Sequence, residues 1–290
     1  KKNNWNKILI PYTTDQLMCN GYLISNFDHI CVQGPKEFDY SRKLHKVSTK
    51  KIIKFGSLLY RHIDLIFNKL NEASNNKNII LWAGVSKVYF PLESQIRIVD
   101  LICKNIENNV LLNTQLVLRP FLFDKDLANF INKYKDKPYI KFELPEITNY
   151  GLDSSLIEVD FLKEFKQYIK NMSKITLLII PGITSMVLEA SYLGIPSISI
   201  FDDPSGNLSK RNYDCFFKKN GDLVDFREFK YMKCIHDINL LIENINQTFL
   251  LRNDLSSKKI ANDWDYSDSN YKEKLNDINI EWSNKKSLCI

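Results

Sequence analysis

Residues 176–201 read TLLIIPGITSMVLEASYLGIPSISIF. An apolar run, Thr176–Ile180, leads into Pro181-Gly182-Ile183-Thr184-Ser185. A helix-patterned stretch, Met186–Tyr192, follows and is stopped by Gly194 with Pro196 behind it, and a second β-branched run occupies Ser197–Phe201. The spacing predicts a strand, a loop, a helix and a strand. Gly182 lets the backbone turn sharply and approach a ligand, while Thr184 or Ser185 can cap the helix by accepting its first N–H groups. The remaining N–H groups, Met186 among them, and the positive end of the helix dipole favour a phosphate. Ser185 and Glu189 are four residues apart and share a helix face, which offers a hydroxyl to a phosphate oxygen and a carboxylate to sugar or ribose hydroxyls. Met186, Val187, Ala190 and Leu193 are expected to face the core. An ordinary capped turn with a solvated Glu189 has the same local pattern; position favours a ligand, since open α/β sheets bind theirs outside the carboxyl ends of the strands.

The same alternation extends outward. Strands are expected at Lys7–Pro11, His29–Val32, Lys51–Phe55, Asn78–Trp82, Gln115–Leu118 and Tyr139–Phe142, in addition to the two above. Helices are expected at Glu93–Glu107, with Ile96, Val99 and Cys103 on one face, at Asp124–Tyr134 and at Leu156–Met172. Strict alternation means a parallel sheet covered on both faces. The segment Arg61–Lys77 ends in the polar run NEASNNK and reads as a linker. From Tyr231 the pattern turns helical and polar, DINLLIENINQTFLLRNDL being its clearest amphipathic piece, with Ile245, Phe249 and Leu250 among its apolar positions. The expected division is a partial α/β unit over 1–75, a Rossmann-like domain over 76–230 and a helical extension over 231–290.

Bulk properties agree with a folded protein of two lobes, or of one large lobe with appendages: the chain has 290 residues, of which 44% are hydrophobic and 26% charged. The 40 basic and 34 acidic residues give a formal charge of +6, spread along the chain. That suits anionic ligands or an anionic membrane face without calling for nucleic acid. The 17 Phe and 14 Tyr residues fall at core-like spacing rather than as a base-stacking platform. Six cysteines lie far apart without CxxC pairs, so neither a disulfide framework nor a zinc site is indicated, and a reducing cytosol is the expected compartment. The longest apolar runs, such as Ile175–Ile183, fall short of a membrane span. No signal peptide is visible, and the abrupt Lys1–Lys7 opening reads as a piece of something longer.

Ser185, Leu188-Glu189-Ala190, Leu193-Gly194 and Ile195-Pro196 together resemble the donor-binding stretch of GT-B glycosyltransferases. The likeness is nearest to bacterial surface-polysaccharide enzymes related to CDP-glycerol glycerophosphotransferases and to non-hydrolysing UDP-N-acetylglucosamine 2-epimerases. Two further stretches fall in the right order. His29-Ile30-Cys31-Val32-Gln33-Gly34, Lys51–Ser57 and then Asp64 are similar to the end of that family's amino-terminal domain. Leu116-Val117-Leu118-Arg119-Pro120 resembles the strand running into its Arg/Lys-His-Pro motif. Phe121 departs from the pattern, standing where the family often has a histidine. Residues 1–75 are also too few for a complete acceptor domain, which is expected to be truncated or to lie upstream.

The resemblance implies a doubly wound, GT-B-like α/β fold in which Gly182, Thr184, Ser185 and the Met186 amide hold the donor diphosphate. Glu189 would hold donor hydroxyls. Arg119, ending an apolar strand, carries a planar fork suited to a diphosphate, or to a structural ion pair. Gly84-Val85-Ser86-Lys87 can supply a backbone nest and a cation, or be an ordinary βα loop. His62 and Asp64, at the hinge, are the candidate general bases, with His29 and His45 beside them. Asp202-Asp203-Pro204-Ser205-Gly206 can meet a metal or sugar hydroxyls, or be a plain acidic turn, and Tyr213–Lys219 can touch membrane lipid or a lipid-linked acceptor, or bury an aromatic pair. Neither GxxxxGK[ST] nor GxSxG occurs. The implied activity is transfer of a sugar or phosphoryl-alditol unit from a nucleotide-activated donor to a surface polysaccharide or glycolipid. It would take place in the cytoplasm or at the inner membrane face, with no cofactor and no required metal. A nucleotide-sugar epimerase or hydrolase, and a non-catalytic glycan- or protein-binding module, are the alternatives.

Overall fold

The apolar runs become strands because each is too short and too β-branched to hold a helix, and because parallel neighbours bury both of its faces. The computed structural model describes residues 7–10, 27–57, 77–121, 124–144, 161–182, 184–202 and 232–250. The chain divides into two compact units, Lys1–Arg61 with Asn262–Ile290, and His62–Ala261. The division falls where the expected linker begins; the linker itself lies outside the described residues.

In the first unit β1 (Ile8–Leu9), β2 (His29–Val32), α1 (Pro35–Lys43) and β3 (Ile52–Lys54) follow one another. The strands form a parallel sheet in the order β1-β2-β3. Ile30 and Val32 pack with Leu9, Phe38, Val47 and Ile52 on one face, and Cys31 packs with Phe55, Ile8 and Ile53 on the other. Helix α1 carries no apolar period, because the residues it buries are Glu37 and Ser41. Glu37 is fully buried and accepts the Gln33 amide at 2.5 Å.

The second unit runs β4 (Asn78–Ala83), α2 (Leu92–Glu107), β5 (Thr114–Arg119), α3 (Asp124–Tyr134), β6 (Ile140–Phe142), α4 (Phe161–Met172), β7 (Leu177–Pro181), α5 (Met186–Tyr192), β8 (Ser197–Ile200), β9 (Met232–Ile235) and α6 (Leu241–Leu250). All six strands are parallel, in the order β6-β5-β4-β7-β8-β9. Renumbered within the unit this is 3-2-1-4-5-6, the doubly wound dinucleotide-fold order, which reverses direction between β4 and β7. The eight expected strands are all present, shifted by a residue or two at their ends. The extension expected from 231 opens instead with a strand, β9, that completes this sheet, and the unit continues through α6.

Register assigns the two faces. Trp82 lies beside Leu118 on one side and Ile179 on the other, and its ring stacks on Phe130 of α3 at 5.5 Å. Helix α2 shares that layer, since Tyr134 donates to Asp100 at 2.9 Å and Lys133 pairs with it at 2.7 Å. Burial and that hydrogen bond push the Tyr134 hydroxyl pKa well up. The next residue pair along, Ala83 and Arg119, points to the opposite face, where Arg119 meets α4. The central strands β4 and β7 are buried almost throughout. On α2 the buried residues are Ser94, Gln95, Ile98, Val99, Ile102 and Cys103, so Val99 and Cys103 face the core as expected, while Ile96 lies at its margin. Cys103 is a buried free thiol whose pKa burial pushes up to about 11, so it is held as an unreactive neutral group. On α6, Ile245 is buried and Leu250 is exposed.

Candidate functional site

The reversal between β4 and β7 places the loops after these two strands side by side at the carboxyl edge of the sheet. This is the crevice in which such folds bind ligands. Each loop begins with a glycine, used for different reasons.

After β4, a Cβ on Gly84 would lie 2.9 Å from the Trp82 ring, 3.1 Å from the Phe121 amide nitrogen and 3.2 Å from Gln95 Oε1. Its amide donates to the Arg119 carbonyl at 2.9 Å, and the Val85 amide donates to Gln95 Oε1 at 3.1 Å. Gln95 Nε2 in turn donates to the carbonyls of Val85 and Phe90, at 2.9 and 2.7 Å. Lys87 Nζ pairs with Asp126 at 2.8 Å. The Gly84 and Val85 amides, and the Lys87 cation beside them, are therefore already engaged within the protein.

After β7, Gly182 adopts φ +75°, a left-handed conformation that a side chain would strain. Its amide donates to the Ile200 carbonyl at 2.7 Å, tying the turn to β8. Of the two candidate caps, Thr184 serves: its Oγ1 accepts from the Met186 amide at 3.3 Å, while Ser185 makes no side-chain cap bond. The Met186 amide, expected to meet phosphate, is thus partly engaged by Thr184. The core face of α5 is Val187, Leu188, Ala190 and Ser191, so Leu188 takes the place anticipated for Met186 and Leu193.

Glu189, one turn beyond Ser185, is half-buried and has a partner within the protein. The Tyr168 hydroxyl of α4 donates a short hydrogen bond to its Oε2. The Arg119 guanidinium lies over the Tyr168 ring, 4.8 Å from its centroid. Nη1 of Arg119 is buried and has no hydrogen-bond partner among the described residues. Asn171, on the same helix, donates to Glu143 at 3.1 Å, and Glu143 follows β6 on the face that Arg119 shares. Burial raises the Glu189 carboxyl pKa above its ordinary value, against the pull of the Tyr168 hydrogen bond and the Arg119 charge. Burial, followed by the Glu189 charge, raises the Tyr168 hydroxyl pKa well up.

The structure thus brings Arg119 and Glu189 into one cluster, joined by Tyr168, while Gly84 meets it only through its amide on the Arg119 carbonyl. Tyr168, Asn171, Glu143 and Gln95 were not anticipated. The available signal for Tyr168 was a hydroxyl within the apolar stripe of a helix, which needs a partner once buried. His62 and Asp64, with Asp203–Gly206 and Tyr213–Lys219, lie outside the described residues. Asp202 accepts the Ile238 amide at 2.6 Å and so anchors the turn before α6. His29 sits on β2 with Nδ1 buried and unpaired among the described residues, and His45 follows α1. Phe121 is 53% exposed at the end of β5.

No family model matches the sequence, and no curated protein matches it. Solved structures do match. A variant of the wall teichoic acid polymerase TagF superposes with a TM-score of 0.51 at 15% identity, over 95% of this chain and 63% of that one. The same variant after a soak with CDPG gives 0.50 at 13% identity, over 94% and 61%. A UDP-N-acetylglucosamine 2-epimerase gives 0.52 at 12% identity, over 91% and 60%. The chain spans about three fifths of the length of these structures. At such identities the likeness speaks for the fold, and the fold is the GT-B type of these enzymes: a mixed α/β chain with Rossmann-like parallel sheets of three and six strands.

Proposed function

We propose that the second unit binds a nucleotide-activated donor at the β4/β7 crevice. We further propose that the protein of which this chain is all or part transfers a sugar, or a related phosphoryl-alditol unit, to a surface polysaccharide or glycolipid. The observation that carries this reading is the buried Nη1 of Arg119, at the carboxyl end of β5, which has no partner among the described residues, since a buried guanidinium nitrogen without a partner is costly and a diphosphate oxygen would satisfy it. In transfer from such donors the protein chiefly offsets charge on the leaving diphosphate and positions the acceptor. Arg119 would take the first role, with Thr184 and Ser185 on the phosphates and Glu189 on donor hydroxyls; His62 or Asp64 would supply the base. The scheme requires no metal or cofactor. Among the described residues no helix is long and apolar enough to cross a membrane. A lipid-linked acceptor would be met peripherally, at the inner membrane face.

Isothermal titration of UDP, CDP and CMP into the wild type tests the reading. Binding of at least one nucleotide is expected, weakened roughly ten- to a hundredfold by Arg119→Ala, the scale of hydrogen bonds to a charged group. Ser185→Ala should weaken it less. A folded protein that binds none of the three overturns the reading. The likeness to a UDP-N-acetylglucosamine 2-epimerase favours a second reading, in which the same site turns over a nucleotide sugar by itself. Product formed from donor alone, without a glycan acceptor, would select it.

A further inference from the structure

We propose that Tyr168 is a positioning residue of the donor site, holding Glu189 through its hydroxyl and Arg119 through its ring, so that one side chain sets both. This inference rests on the donor-binding reading above.

Three elements meet at this tyrosine. Glu189 comes from α5, Arg119 from the end of β5 and Tyr168 from α4, the helix that precedes β7. Each partner uses a different part of the ring system: the O–H donates to Glu189 Oε2, and the π face lies 4.8 Å from the guanidinium carbon. The hydroxyl spans the step from the arginine to the carboxylate, and no aliphatic or purely aromatic residue can make both contacts. Left alone, a glutamate samples many rotamers and an arginine more, and a ligand would have to order both on binding. Here one oxygen of Glu189 is pinned, and its other oxygen, which takes no hydrogen bond from a described side chain, would accept a hydroxyl of the donor. The guanidinium plane is likewise set by the ring while Nη1 stays unpartnered among the described residues. Preorganisation of this kind raises affinity without any contact between Tyr168 and the ligand.

The electrostatics agree with the geometry. The described titratable and charged groups around the pair are Arg119 from β5, Tyr168 from α4 and, acting on Tyr168, Glu143 after β6. Burial raises the Glu189 pKa, and the Tyr168 hydrogen bond opposes that rise. Removing the hydroxyl should let the carboxyl take a proton at higher pH. A protonated carboxyl accepts donor hydroxyls poorly, so nucleotide binding should fail sooner as pH is lowered.

The test is titration of UDP and CDP across pH 4.5 to 8.5 into the wild type, Tyr168→Phe, Tyr168→Leu, Glu189→Gln and the double variant of Tyr168→Phe with Glu189→Gln. Lys170→Ala, an exposed position on the same helix, is the control. Tyr168→Phe keeps the ring beneath Arg119 and is expected to weaken binding about tenfold, the scale of one hydrogen bond to a charged group. It should also shift the low-pH loss of binding to higher pH. Tyr168→Leu, which also removes the ring, should weaken binding further. In the Glu189→Gln background, Tyr168→Phe should produce no pH shift, because the group that titrates is gone. A wild type that binds nucleotide, with a Tyr168→Phe variant of equal affinity and unchanged pH profile, overturns the positioning role and leaves the donor site standing. A wild type that binds no nucleotide at any pH overturns the donor reading and this inference with it. Unfolding midpoints of all variants, measured alongside, separate loss of affinity from loss of fold.

Discussion

The loops after β4 and β7 stand at the same place in the topology, each opening on a glycine, and the fold uses them in opposite ways. Gly84 is required by crowding, with the Trp82 ring and the Phe121 amide where a Cβ would go. Gly182 is required by its backbone angle of φ +75°. Around Gly84 the amides are consumed by Gln95 and by the Arg119 carbonyl, so that loop closes on itself. On the helix that follows Gly182, Glu189 joins a phenol and a guanidinium, whose Nη1 has no partner among the described residues. A glycine at a strand's carboxyl end therefore answers either to crowding or to backbone angle, and the first amide of each of these two turns is bonded within the sheet.

The Gly84 loop depends most on Gln95. Gln95→Ala leaves the Val85 amide and the Val85 and Phe90 carbonyls without their partner inside the protein. It should destabilise the fold by about 3 kcal/mol, read by urea unfolding. Next, Gly84→Ala should cost roughly 2 kcal/mol through overpacking against Trp82. The protein that remains folded should bind nucleotide as the wild type does, a pairing that calorimetry beside thermal unfolding checks. Gly182→Ala should cost about 1 kcal/mol, because alanine is strained at this φ. It should weaken nucleotide binding as well, and unchanged affinity would place Gly182 with Gly84 as a structural turn.

The smallest effect on stability belongs to Glu189→Gln, and its sign depends on pH. The folded chain holds the Glu189 proton more tightly than the unfolded chain does, because burial raises the carboxyl pKa. The group's stabilising contribution is complete below the unfolded value and is lost as pH rises through the folded one. Glutamine does not titrate and still accepts from Tyr168. The Tm of the variant relative to wild type should therefore climb from pH 4.5, the ordinary glutamate value, towards neutrality. Nucleotide affinity should fall in the same variant, giving a protein that is no less stable at neutral pH but binds less well.

Most of the sheet was legible because its strands are runs such as Leu177–Ile180 and Ile79–Trp82, buried on both faces and hence almost uninterrupted in sequence. β9 was not legible. Met232-Lys233-Cys234-Ile235 is a four-residue strand at the sheet edge, with Lys233 exposed, and a pattern that short does not separate strand from helix. α1 escaped for a different reason: its buried positions include Glu37 and Ser41, which erase the apolar period. At the site, Arg119 and Glu189 were found from their places at a strand end and a helix start. Tyr168 was not, because 21 residues and the whole of β7 separate it from Glu189.

The alternation of strand and helix, and with it the parallel, doubly wound fold, can be read from the amino-acid order, because local periodicity and the burial of both faces of each strand set them. So can a sharp glycine turn at the end of β7, whose left-handed angle the fold then supplies. Only the tertiary structure decided which groups meet there, because strand order and register bring β5, α4 and α5 together on one face and leave the loop after β4 to pack on Trp82. The physical reason is that side-chain partnership depends on which face of the sheet a residue occupies. That parity is shared between strands only after they have paired.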